Sequence, residues 1–313
     1  MANPLVPTLA ALVRQADALQ RDGHLPRARR AWEALVQRAQ ESGDRATEAL
    51  SRAMLARCLL SGRDRAGAEE QLALAAPIAE ADRGETGARY RAAAVRLALD
   101  ELPAAGGERA RATLEGYLQW AERHERPDAL FDACLLAARV LDPPDRVVRL
   151  EQALERAQAV LEREGAPAEL LVGRARVAAA LGTALEQVGE LDQALAAYQQ
   201  ALDGFRAAQV PAREAVAAGW AVGALAGRIE DWPLARDALE DAIAQGGAAD
   251  DCDDLLALAL ADLATVYEAA GDLIEARRLL VRAVALGREQ QLATTWPDRW
   301  ARLLDEARRL EVA

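Results

Sequence analysis

A small residue returns along this chain at a fixed interval, and this interval constrains the fold more than any other feature. Ala194, Ala235 and Ala276 mark it, since 235 − 194 = 41 and 276 − 235 = 41. A fixed interval of this size is typical of solenoids, in which each repeat contacts its neighbours and the array grows without a new core. We therefore predict a single domain over residues 1–313.

Within one repeat, the residues predict two antiparallel helices joined by a tight turn. Leu181 and Leu185 lie on one apolar stripe, and Gly182 leaves room for a neighbouring helix. Gly189 ends the first helix, because glycine adopts the left-handed conformation at a helix end at little cost. Ala194 then starts the apolar ridge of the second helix. The next two repeats show the same series: Val222, Gly223, Ala226, Glu230, Ala235, Leu239 and Ala242, then Leu263, Ala264, Tyr267, Gly271, Ala276, Leu280 and Ala283.

These positions resemble the signature of the tetratricopeptide repeat family, whose usual unit is about 34 residues. The longer unit in this chain predicts helices that are each about one turn longer. The resemblance implies an all-α fold, a right-handed superhelical solenoid of about seven antiparallel helix pairs with a C-terminal capping helix. The predicted repeats are 8–42, 45–81, 85–125, 128–165, 167–208, 211–246 and 250–290, followed by a capping helix over 295–312.

Composition agrees with helices and excludes several classes of function. Alanine, leucine, arginine and glutamate dominate, and all four favour helices. The net charge of −12 argues against nucleic-acid binding and against an anionic membrane surface, both of which need a positive surface. No apolar run has the length of a membrane span, and the first residues do not resemble a secretory signal, so we expect a cytoplasmic protein without membrane insertion. The three cysteines, Cys58, Cys134 and Cys252, are interpreted as small buried hydrophobic residues.

Side chains that carry catalysis are scarce. The chain contains no lysine, so it has neither a P-loop lysine nor a Schiff-base lysine. Its two histidines, His24 and His124, lie near helix ends, and no pair of histidines or cysteines has zinc-ligand spacing. We therefore expect no enzymatic activity, no bound metal and no cofactor.

Function is then expected on the surface that the repeats present. In the resembling family, the first helix of each pair lines the concave face. The resemblance implies that this face carries several arginines and one tryptophan among smaller polar side chains. The implied partner-binding residues are Arg52, Arg96, Arg176, Thr183, Glu186, Gln187, Trp220, Arg228, Thr265 and Glu268.

Two interpretations of these side chains stay open. Arginine forks bind carboxylates with two parallel hydrogen bonds, so the arginines would suit an acidic or C-terminal peptide segment. Alternatively, they pair within the chain, with Glu186 or Glu268 as partners. Trp220 is likewise either an anchor for a partner or a side chain that packs between helices.

We predict a scaffold or adaptor that binds another protein or a peptide. The alternative is a regulatory sensor module that binds a small signal molecule or a short peptide. An isologous homodimer through a terminal repeat stays open. At the C-terminus, Thr295 is expected to cap a helix whose apolar stripe covers the last pair, and docking on another protein is the alternative for that stripe.

Overall fold

In the computed structural model, the chain consists of helices and short turns. The structure describes residues 7–21, 23–99, 107–137, 140–164, 168–209, 212–249 and 251–311. Over these ranges there are sixteen helices and no strand. The prediction of an all-α fold of helix pairs is confirmed.

Contacts divide the chain into two compact units, residues 1–141 (unit 1) and 142–313 (unit 2). The helices of unit 1 are α1 (Leu9–Arg21), α2 (Leu25–Ser42), α3 (Arg45–Ser61), α4 (Arg65–Ala79), α5 (Glu85–Leu99), α6 (Glu108–Arg123) and α7 (Pro127–Ala137). Those of unit 2 are α8 (Pro143–Glu164), α9 (Ala168–Val188), α10 (Leu191–Ala207), α11 (Ala212–Arg228), α12 (Trp232–Gly246), α13 (Asp253–Ala269), α14 (Leu273–Glu289), α15 (Leu292–Thr295) and α16 (Pro297–Arg309).

Parts of the predicted repeat boundaries, at 165, 167, 211, 250 and 312, lie outside the described residues. The other predicted repeat boundaries stay predictions as well. A single right-handed array over 1–313 stays a prediction.

The second helices of unit 2 begin at regular intervals. They start at Leu191, Trp232 and Leu273, so that 232 − 191 = 41 and 273 − 232 = 41. The preceding turn needs a left-handed residue, which Gly189 provides with a φ of 88°. Glu230 occupies the same turn position with a φ of 64°, a conformation that costs a non-glycine residue about 1 kcal/mol. The turn geometry is thus retained even where glycine is absent.

Small residues let the two helices of each pair approach closely. Ala194, Ala235 and Ala276 are all fully buried. A Cβ atom at Gly182 would lie 2.7 Å from the Tyr198 ring. Any larger residue at this position would therefore require the ring to move. The periodic alanines and glycines of the sequence thus lie where the helices of a pair meet.

The C-terminal helix α16 packs on the last pair. Leu303 and Ala307 are buried in the core of unit 2. The ring of Trp300 packs against Gly287 so closely that a Cβ atom on Gly287 would lie 2.5 Å from it. The predicted N-cap is wrong: Thr295 belongs to α15, and its hydroxyl donates to the carbonyl of Gln291. A separate short helix at 292–295 moves the start of α16 to Pro297, and no side chain caps it.

We predict that Gly223→Ala lowers the free energy of unfolding by about 1–3 kcal/mol. A Cβ atom there would lie 2.5 Å from Leu239 Cγ and 3.2 Å from the carbonyl oxygen of Ala235, so both a side chain and a backbone would have to move. Thermal or denaturant unfolding followed by circular dichroism measures the change.

Gly227, one turn further along α11, is the matched control. A Cβ atom there would meet only Ala235 Cβ at 3.9 Å, an ordinary contact. Gly227→Ala is expected to be neutral or to stabilise by up to about 1 kcal/mol. Equal destabilisation by the two variants would contradict the close approach at Gly223.

Candidate partner-binding face

Polar contacts in unit 2 join helices that lie about one repeat apart in sequence. Arg176 of α9 pairs with Glu214 of α11, with Nη2 and Oε1 2.6 Å apart. Arg228, at the end of α11, pairs with Glu186 of α9. In both pairs the arginine side chain is about half exposed, at 51% and 49% respectively. We call these two ion pairs, with the flanking Thr183, Gln187, Thr265 and Glu268, the first-helix face of unit 2.

Tyr198 links this face to the second helix α10. Its hydroxyl lies 3.1 Å from Thr183 Oγ1 and donates to Glu186 Oε2 at 3.1 Å. Burial, together with the negative charge of Glu186, raises the pKa of Tyr198 to about 12, so the phenol stays protonated. Glu186 is therefore held by Tyr198 on one side and by Arg228 on the other.

Two other predicted side chains also bond to partners in unit 2. Gln187 Oε1 accepts a hydrogen bond from Arg146 of α8 at 2.9 Å. Glu268 of α13 binds Arg309 of α16, with Nη2 of the arginine 2.6 Å from Oε2, and this contact lowers the pKa of Glu268. Thr265 is exposed, and its hydroxyl donates to the carbonyl of Ala261 in its own helix.

Trp220 is a packing residue in this structure. It is only 8% exposed, and its indole Nε1 donates to Asp262 Oδ2 at 2.7 Å. The ring of Trp296 meets it edge to face at 6.0 Å, and the guanidinium of Arg299 lies 5.1 Å from its ring centroid. Of the two interpretations of Trp220, the contacts agree with packing between helices.

The two predicted arginines of unit 1 lie in different places. The expected position of Arg52 is corrected: the side chain is buried, and its guanidinium donates to Glu48 of α3 and to Gln71 of α4. These acceptors on α3 and α4 draw the guanidinium between the two helices, and the spacing of the sequence alone does not reveal them. Arg96 is partly exposed and pairs with Asp132 of α7 at 3.0 Å.

The sequence analysis did not identify a pair of neighbouring carboxyl groups, one on α13 and one on α16. Asp262 of α13 and Glu306 of α16 are both partly buried. Burial raises the pKa of Asp262 against the opposing effect of the Trp220 hydrogen bond. Burial, with the nearby charge of Asp262, raises the pKa of Glu306 to about 7. No local motif signals this pair, because it arises only when α16 packs on the last helix pair.

These contacts decide what the face can do chemically. Among the described residues, no cluster of three or more histidine, cysteine or acidic side chains could hold a metal ion. Within the same part of the chain, no helix combines the length and apolar character that crossing a membrane requires. The first-helix face of unit 2 offers charged hydrogen-bond donors and acceptors, namely the arginines and carboxylates of its two ion pairs.

Comparison with known proteins identifies the fold. No protein-family model matches the sequence. No curated protein matches it either. Among solved structures, a Signal Transduction ATPase with Numerous Domains (STAND) protein with a tetratricopeptide repeat sensor, from Pyrococcus horikoshii, has a TM-score of 0.64 at 14% identity. The match covers 87% of this chain but only 39% of that protein.

Two further structures share the fold. The C-terminal part of a TPR repeat-containing protein from Cytophaga hutchinsonii has a TM-score of 0.51 at 15% identity, covering 87% of this chain and 94% of that one. NprR in complex with its cognate peptide NprX has a TM-score of 0.50 at 13% identity, covering 97% and 84%. At these identities the likeness shows the fold alone. The tetratricopeptide-like helical repeat fold that the sequence predicts is confirmed.

We predict that Glu306→Gln stabilises the protein at about pH 8 by about 1 kcal/mol, the screened part of the pKa shift, and has little effect at about pH 5. A raised carboxyl pKa stabilises the folded state below the ordinary value of 4.5, and this stabilisation is lost as the pH rises through about 7. The charged groups near Glu306 are Asp262, Glu268, Arg302 and Arg309.

Unfolding curves at several pH values measure this effect. Asp305→Asn is the control, because Asp305 is a 72% exposed carboxylate on the same helix. A stabilisation by Glu306→Gln that is the same at both pH values would contradict the raised pKa.

Proposed function

We propose that this chain is a non-enzymatic adaptor that binds a protein or peptide segment, acidic in character, on the first-helix face of unit 2. The observation that carries the proposal is the row of half-exposed arginine–carboxylate pairs at Arg176 and Arg228, which joins α9 to α11. Each pair joins one repeat to the next, and each arginine presents a fork that can bind a carboxylate with two hydrogen bonds.

The existing ion pairs do not prevent binding, because exposed pairs contribute only about 0–1 kcal/mol each. A carboxylate of a partner can replace Glu186 on Arg228 at small net cost, and Glu186 keeps its hydrogen bond from Tyr198. The buried Trp220 has a supporting role in this proposal, since it fixes α11 against α13 and leaves the arginines in place.

The structural comparisons support a binding function in a limited way. One of the solved structures with this fold is NprR in complex with its cognate peptide, and another contains a tetratricopeptide repeat sensor. Both are distant in sequence, so their partners are not transferred to this chain. They show only that proteins with this fold include peptide binders and sensors.

A second candidate function is a regulatory sensor module that binds a small signal molecule or short peptide. The observation that favours it is a cavity of about 420 Å³ in unit 1. This volume lies within the range of small-molecule sites. The two candidates use different surfaces, and they can be tested separately.

We predict that Arg228→Ala weakens retention of the adaptor's protein partner by about tenfold or more, because truncation removes the fork that binds a carboxylate. The measurement is quantitative affinity capture from the protein's own cells, read by mass spectrometry. Binding of the retained protein is then measured with purified components.

Arg236→Ala is the matched control. Arg236 lies on the second helix α12, and its side chain is 51% exposed, against 49% for Arg228. The proposal requires a protein that the unaltered chain and Arg236→Ala retain and that Arg228→Ala loses. Equal retention by the two variants would count against the first-helix face.

A further inference from the structure

The cavity in unit 1 lies between α3, α5, α6 and α7. Its volume is about 420 Å³. Charged side chains of both signs, one tyrosine and three alanines line it: Arg57, Glu85, Ala88, Arg89, Ala92, Tyr117, Arg126, Asp128, Ala129 and Asp132.

Two of the lining arginines already bind carboxylates. Arg89 donates to both oxygens of Asp17, at 2.6 and 2.7 Å, and also pairs with Glu85 at 2.7 Å. Arg126 binds Asp128 with two parallel hydrogen bonds, of 2.9 and 2.6 Å. These four side chains and Asp17 are therefore internally satisfied.

The remaining lining carboxylate is also occupied. Asp132 Oδ1 accepts a hydrogen bond from Arg96 Nη2 at 3.0 Å, and Tyr117 OH donates to Oδ2 at 3.4 Å. Arg96 Nη1 is buried and has no hydrogen-bond partner among the described residues. Each carboxylate at the cavity is thus held by an arginine other than Arg57.

Arg57 is the exception. Among the described residues it has no carboxylate partner, and its one hydrogen bond goes to the sulfur of Met54 at 3.8 Å. Burial and the positive charge of Arg96 lower the pKa of Arg57, against the opposing charges of Asp132 and Asp17, neither of which bonds to it. A thioether is a weak acceptor that cannot balance a guanidinium charge. A partly buried guanidinium without a carboxylate in direct contact is costly, and an incoming anion would reduce that cost.

We propose that this cavity binds a small ligand with one carboxylate on an apolar group, and that Arg57 is the ion-pair partner of that carboxylate. The other two lining arginines, Arg89 and Arg126, already bind carboxylates, so a second negative charge on the ligand would have no arginine of the lining to pair with. A single carboxylate matches the one arginine that lacks a partner. The methyl groups of Ala88 and Ala92 line the same cavity and suit an apolar body.

The proposal gives the ligand class for the second candidate function and does not rest on the adaptor function. Its residues belong to unit 1, whereas the adaptor test uses Arg228 of unit 2. Failure of one therefore leaves the other intact. The shared chemistry is a carboxylate on an apolar group, which either a free organic acid or the end of a peptide can supply.

The test is isothermal titration of the full chain with 3-phenylpropionate and with its neutral amide. We expect saturable binding of the acid and at least about tenfold weaker binding of the amide, the loss typical of a charged hydrogen bond. Arg57→Gln should weaken binding of the acid by a similar factor. Arg30→Gln, which changes an exposed arginine of α2, should leave it unchanged.

A second arm separates the two sources of the carboxylate. An acetylated tripeptide that ends in a free phenylalanine carboxylate replaces the free acid. If the unaltered chain binds this peptide and Arg57→Gln does not, the ligand is the end of a peptide. Binding of 3-phenylpropionate alone supports a free organic acid.

Three results would overturn the proposal. They are equal binding of acid and amide, equal binding by Arg57→Gln and Arg30→Gln, and the absence of saturation by either carboxylate up to its solubility. The comparison of acid with amide uses the unaltered chain, so the proposal stays testable even where Arg57→Gln fails to fold.

Discussion

The close approach of two antiparallel helices at small residues is the constraint on which the rest of unit 2 depends. Ala194, Ala235 and Ala276 are fully buried, and at Gly223 even a methyl group would meet Leu239 and the backbone of the facing helix. Because the contact recurs at one interval, each pair is placed on the next in the same register. The side chains of one first helix consequently reach those of the first helix in the following repeat.

That register explains the electrostatics of the chain. Arg228 meets Glu186 and Trp220 meets Asp262, and each pair is 42 residues apart. The exposed ion pairs cost little to open, whereas the Trp220 contact is buried and holds the helices. Where burial and a neighbouring carboxylate outweigh the nearby arginines, as at Glu306, stability becomes dependent on pH.

The sequence predicts what is local and periodic. The turn at Gly189, its replacement by Glu230 and the buried alanines all follow from the repeat. Arg52 was misplaced because acceptors on α3 and α4 hold its guanidinium, and Thr295 because a separate short helix precedes α16. The positions of Arg57 and of the Asp262 and Glu306 pair depend on contacts between helices that no local pattern encodes. The fold was therefore more predictable than the sites.

Removal of one repeat in register tests the central claim most directly. Deletion of residues 195–235 joins Ala194 to Arg236 and removes 235 − 194 = 41 residues. We predict that the shortened chain keeps its helicity per residue and unfolds cooperatively, as measured by circular dichroism, because each pair contacts only its neighbours. A deletion two residues shorter turns the following helix by about 200° and should lose that packing. Equal behaviour of the two shortened chains would contradict the account.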